Sequence, residues 1–254
     1  MVVYRGARMP PFAVWQWILG AVCGLFVGIA KSGVPGFGIA VVPLMVMVVG
    51  NARASAGWLL PMLCTADLFA IAYYRRHAQA RRLFDLAPWV LVGMGAGTVA
   101  LGWGESVIRP IIAAVVLTMI GAHLWRKWRR QIVVPTGWSH SARYGVLAGF
   151  ATTVANAAGP VMNVYLLSKR LPKEEFVAAG AWFFFLINLS KLPIYRWRGM
   201  ITARSLLFDL LMLPAVALGA MVGRKVVRRL AQTTFEVAVL ALTAGATLLL
   251  FLPR

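Results

Sequence analysis

Residues 24–43, GLFVGIAKSGVPGFGIAVVP, constrain this chain more than any other stretch. They lie in apolar surroundings, yet they hold five glycines, two prolines and the lysine Lys31. The residue before Pro35 is pushed out of the helical region, and each glycine in a helix costs ~1 kcal/mol relative to alanine, so no helix is expected to run through 32–36. In a bilayer, broken backbone survives only where it is buried in protein or lines a wet cavity. A break with a cation beside it is therefore a candidate site.

The second half of the chain repeats the pattern. Residues 145–164 read GVLAGFATTVANAAGPVMNV, and an offset of 121 aligns Gly24 with Gly145, Gly28 with Gly149, Ser32 with Thr153 and Gly38 with Gly159. Further on, an offset of 124 aligns Trp58 with Trp182, Phe84 with Phe208, Asp85 with Asp209 and Gly95 with Gly219. Matching interrupted segments in two halves are a sequence pointer to a transporter's binding site.

Composition places the break in a membrane. The 254 residues are 61% hydrophobic and only 13% charged, against about 45–50% and about 25% in soluble domains. The net charge of +19 would suit nucleic acid, but the Lys and Arg residues fall in short clusters between apolar runs, as orientation signals do, and no soluble domain is left to carry such binding. Arg5 and Arg8 before the apolar run from Phe12 resemble a signal peptide, but no small-x-small cleavage site precedes the break, so the run is read as membrane structure. Cys23 and Cys64 lie in apolar segments without CxxC or Cys/His spacing, so a small core role is expected, with no metal and no cofactor. GxSxG, HExxH and GKS/GKT patterns are lacking, which argues against an enzyme.

The apolar runs are 12–30, 37–50, 54–74, 86–103, 107–125, 143–155, 157–168, 175–195, 205–223 and 233–252. The runs 37–50, 143–155 and 157–168 are too short to cross a core ~30 Å thick. We read 12–30 with 37–50, and 143–155 with 157–168, as two broken hairpins. The expected fold is an all-α polytopic membrane protein: one transmembrane domain over 1–254, with a first repeat at 12–127 and a second, inverted repeat at 143–254. Each repeat is a broken hairpin followed by three transmembrane helices. The linker 126–142 joins them. With both termini outside, sixteen cations fall in inside loops and eight outside, which favours that orientation.

Three charges lie away from helix ends: Lys31, Asp67 and Lys191. A charge at the centre of a membrane helix costs ~2.5–3.5 kcal/mol on insertion scales and marks a functional site by default. At the 124 offset Asp67 and Lys191 are mates, so they are expected to approach each other. The helix starts after the breaks, at 36–38 and 156–159, offer free N–H groups to an anion. Ser32, Thr153, Asn156, Asn163, Asn188 and Ser190 add polar contacts, and Gly33, Gly36, Phe37, Gly38 and Gly159 complete the expected binding set. Asp67 is expected to pair with a lysine or carry a proton. The plainer readings are that the lysines snorkel to an interface, that Asp67 only neutralises one of them, and that the glycines only allow close packing. Asp85 and Asp209 read as dipole-complementing carboxylates near helix starts, and His77, His123 and His140 lack ligand spacing.

The segments GLFVGIAKSGVPGFGIAVVPLM, NARASAGWLLPMLCTADLFAIAYYRRH and NAAGPVMNVYLLSKRLPKEEFVAAGAWFFFLINLSKLPIY resemble the sulfite exporter TauE/SafE family over about 18–250. Gly33, Gly36, Phe37, Gly38 and Pro43 match its first glycine-rich element; Gly149, Asn156, Gly159 and Pro160 fall on the second, which here reads ANAAGP in place of a glycine cluster. The resemblance implies a secondary transporter of the bacterial inner membrane that moves sulfite or an organosulfonate such as sulfoacetate. Export by alternating access around a midplane anion site is expected. An anion channel of the same architecture and a membrane-embedded interaction subunit are the alternatives. The expected partners are a small anion, the lipid bilayer and a second copy forming a homodimer.

Overall fold

The computed structural model describes residues 12–34, 37–77, 85–100, 137–155 and 158–248, with a few positions between 114 and 128. Every regular element among the described residues is helical: α1 (Val14–Lys31), α2 (Phe37–Val49), α3 (Ala52–Tyr74), a 3₁₀ turn (Arg75–His77), α4 (Ala87–Ala100), α5 (Trp138–Ala155), α6 (Ala158–Ser168), α7 (Lys173–Trp197), α8 (Ala203–Arg229) and α9 (Gln232–Leu248). Four stretches are long and apolar enough to cross a membrane: Val14–Lys31, Ala54–Tyr74, Lys173–Trp197 and Ala203–Arg229; α4 is a shorter apolar helix. Large apolar side chains such as Val14, Leu91, Val99 and Leu210 point outward, as a lipid-facing surface requires. The expected span 107–125 and the linker 126–142 lie largely outside the described residues.

The first break falls where the sequence placed it. α1 stops at Lys31, Gly33 takes φ 129°, and Val34 N–H donates to Ile29 O at 3.2 Å. This is a glycine-capped helix end, a conformation that a side chain on Gly33 would strain. The second hairpin needs a correction. α5 begins at Trp138, five residues before the apolar run, so it equals α1 in length at 18 residues. Helix-compatible polar residues at 138–143 extend it where hydropathy alone saw nothing.

The chain divides into two compact units that cut across its halves: residues 1–75 with 181–229, and 76–180 with 230–254. In unit 1, α1 lies along α8, with α2 and α3 beside them. The packing is backbone on backbone. A Cβ on Gly28 would lie 2.6 Å from Ala220 N, and one on Gly223 would lie 2.8 Å from Ile29 O. Around it, Cys23, Val27, Met45, Met62, Phe208 and Met212 form a buried core, and Asn51 caps α3 by accepting from Ala54 N–H.

Unit 2 builds the same joint from α5 and α4. Gly149 faces Val90 and Met94, where Gly28 faces Val216 and Ala220. Gly145 faces Leu86 and Trp89, as Gly24 faces Met212 and Ala215; Gly93 meets Val146, as Gly219 meets Leu25. Gly97 meets Phe150 and Thr153, as Gly223 meets Ile29 and Ser32. The 121 offset therefore holds for the broken helices. For the long partner helices the packing runs at 126, so Gly93, rather than the Gly95 given by 124, stands with Gly219. Gly95 has open space around it. Sequence alignment followed the most similar letters, whereas packing depends on which glycine faces the neighbouring helix.

Candidate functional site

The site in unit 1 grows from the end of α1. Lys31 is the last helical residue, and its ammonium nitrogen lies 2.9 Å from Asp67 Oδ1 and 3.1 Å from Oδ2. A cation there also complements the negative end of the helix dipole. Asp67 comes from the middle of α3 and is fully buried. Its Oδ2 also accepts from Asn188 Nδ2 at 3.0 Å. Phe184 places its ring 4.3 Å from Lys31 Nζ, adding a cation–π contact. Phe184, Asn188 and Lys191 are spaced i, i+4, i+7, so α7 turns one face to this cluster. Lys191 is buried, 8% exposed, on that same face.

Ser32 lies just past the helix end and is fully buried. Its carbonyl accepts from Tyr74 O–H at 3.2 Å, while its Oγ has no hydrogen-bond partner among the described residues. Gly33 follows, also buried.

Sequence reasoning paired Asp67 with Lys191 as repeat mates. Of the two lysines open to it, Asp67 takes Lys31, because α1 ends at its level, and Asn188 brings the α7 face that also carries Lys191 to the same carboxylate. Tyr74 and Phe184 were missed: the first carries no sequence signal, and the second was available from its helical spacing to Lys191. Lys31 is part-buried and paired with Asp67.

The second-break residues belong to unit 2 and are engaged within it. Thr153 Oγ donates back to Gly149 O at 2.9 Å, and Asn163 Nδ2 donates to Thr243 Oγ on α9 at 3.0 Å. Gly159 sits inside the first turn of α6. Gly36 and Asn156 lie outside the described residues, and of Phe37 only the backbone, the first residue of α2, is described. Ser190 is exposed and donates to Ile187 O at 2.7 Å. Cys23 and Cys64 are buried free thiols, and no group of three or more His, Cys, Asp or Glu that could hold a metal occurs among the described residues.

The apolar helices and the Lys31–Asp67 pair beside a broken helix describe a multi-pass helical membrane protein. A family model described as sulfite exporter TauE/SafE matches residues 19–250, nearly the whole chain, and the chain belongs to that family. Searches of curated proteins and of solved structures return no match.

Proposed function

We propose that this protein is a secondary transporter that moves a small sulfur oxyanion, sulfite or an organosulfonate such as sulfoacetate, out across the bacterial inner membrane by alternating access. One observation carries the reading. In unit 1 the part-buried Lys31 sits on the buried carboxylate of Asp67, and the buried Lys191 lies on the same α7 face whose Asn188 donates to that carboxylate. Cationic side chains gathered at a helix break in an apolar protein favour an anionic ligand. Ser32 Oγ, which has no hydrogen-bond partner among the described residues, and the Gly33 backbone follow Lys31 directly. An arriving anion draws Lys31 from Asp67, and Asn188 keeps its own bond to the carboxylate. Family membership supports the sulfur anion, and the loop charges support two inverted halves with both termini outside. A homodimer is the proposed assembly.

The test is anion-dependent thermal stabilisation of the purified protein, followed by flux in proteoliposomes. A ligand that binds only the folded state stabilises it by ~2.7 kcal/mol at a hundredfold excess over its dissociation constant. Sulfite or a sulfonate is expected to raise the melting temperature where chloride does not, and Lys191→Ala to abolish the shift. Unchanged sulfite flux in folded Lys31→Ala/Lys191→Ala protein would show that the site is misassigned.

A further inference from the structure

Unit 1 contains a second buried carboxylate that the anion site does not use. Asp209 is the seventh residue of α8, too far in for the dipole role expected from sequence, since that effect fades within the first turn. It is 8% exposed, and both carboxylate oxygens are buried with no hydrogen-bond partner among the described residues. Asp67, by contrast, has an ammonium and an amide on its oxygens.

The helices packed against α8 are α1 and α3. Their titratable or charged groups are Cys23 and Lys31 on α1, and Arg53, Cys64, Asp67, Tyr73 and Tyr74 on α3. The packing register separates Lys31 from Asp209, and the Arg53 side chain lies outside the described residues. Gly20 of α1 is level with Phe208, and Ser32 is level with Gly223. At 1.5 Å per residue, Lys31 therefore sits roughly 15–20 Å along the bundle from Asp209. On α8 itself Arg204 is exposed one turn earlier, and the other cations, from Arg224 on, lie at the far end. Beside Asp209 the neighbours are aromatic: Phe208 packs against Phe12, Trp17 and Trp58.

Among the described residues no donor reaches this carboxylate, and an ionised carboxylate so placed is strongly disfavoured, which favours a bound proton or metal cation. The described residues supply no further carboxylates for a metal. The neutral acid is what remains. α8 also connects this group to the anion site, because the same helix seats Gly223 on Ser32.

We propose that Asp209 is a proton-binding site in the membrane interior, separate from the Lys31–Asp67 pair, and that its exchange of a proton couples anion movement to the proton gradient. The coupling rests on the transport reading above; the proton site does not. The test has two arms. Purified wild-type protein is treated with dicyclohexylcarbodiimide, which attacks protonated carboxyl groups in apolar surroundings, and the modified peptides are read by mass spectrometry. Asp209 is expected to be labelled, less so as pH rises. Proteoliposomes of wild type, Asp209→Asn and Asp209→Glu are then compared for sulfite accumulation driven by an imposed pH gradient and for exchange at equal pH.

Asp209→Asn is expected to lower gradient-driven accumulation at least tenfold while exchange falls less than twofold, and Asp209→Glu to retain coupling. Absence of label at Asp209 at any pH overturns the proton site. Wild-type accumulation by Asp209→Asn overturns the coupling. A wild type that carries no sulfur anion at all defeats the transport reading and the coupling with it, and leaves the proton site to be decided by the labelling arm.

Discussion

Units 1 and 2 share a scaffold and differ in what is mounted on it. In each, a helix ending near a break lies on a longer helix through glycines at corresponding positions, Gly24, Gly28, Gly219 and Gly223 in one and Gly145, Gly149, Gly93 and Gly97 in the other. At the end of that joint they part. Unit 1 carries Lys31 and Ser32, with Asp67 and Asn188 closing on the lysine. Unit 2 carries Thr152 and Thr153, and Thr153 spends its hydroxyl on its own helix. Side chains far from the glycine seam can change without disturbing the joint. A repeated scaffold can therefore hold a charged site in one copy and neutral packing in the other.

The comparison breaks most sharply at the charges. Lys31→Ala leaves the buried Asp67 without its ammonium and is expected to destabilise the protein by about 3–5 kcal/mol, whereas Thr152→Ala, the corresponding position 121 residues on, should cost under about 1 kcal/mol. Denaturant titration of the purified variants in detergent reads both. Equal losses would mean that the pair contributes no more than its neutral counterpart, and the contrast between the units would fail.

The seam itself predicts similarity. Gly28→Ala and Gly149→Ala each force a methyl group into the facing backbone, and each is expected to cost about 1–3 kcal/mol by the same titration. Gly95→Ala, in open space on α4, should be neutral or slightly stabilising. A large cost at Gly95 and none for Gly93→Ala would restore the 124 register in place of 126.

The smallest effect belongs to unit 2 alone. Asn163→Ala removes the bond to Thr243 and is expected to cost ~0.6 kcal/mol, the typical size of a polar contact between membrane helices. Loss of anion-dependent stabilisation in that variant, with stability intact, would show that Asn163 serves the anion site as well as the bond to Thr243.

Much of this molecule was legible in its letters. The helical membrane architecture followed from hydropathy, and the first break followed from Gly33, Pro35 and Gly36, because backbone sterics act locally. The three interior charges stood out because a membrane makes each one costly wherever it packs. The partners of those charges were not legible. Asp67 could be matched to Lys191 by repeat arithmetic, yet Lys31 and Asn188 hold it, since the end point of α1 and the facing of α7 set the distances. The 126 register and the solitary burial of Asp209 were hidden for the same reason. Hydropathy and local sterics are properties of a segment, whereas a contact depends on how far one helix slides and turns against another, and only the folded chain fixes that.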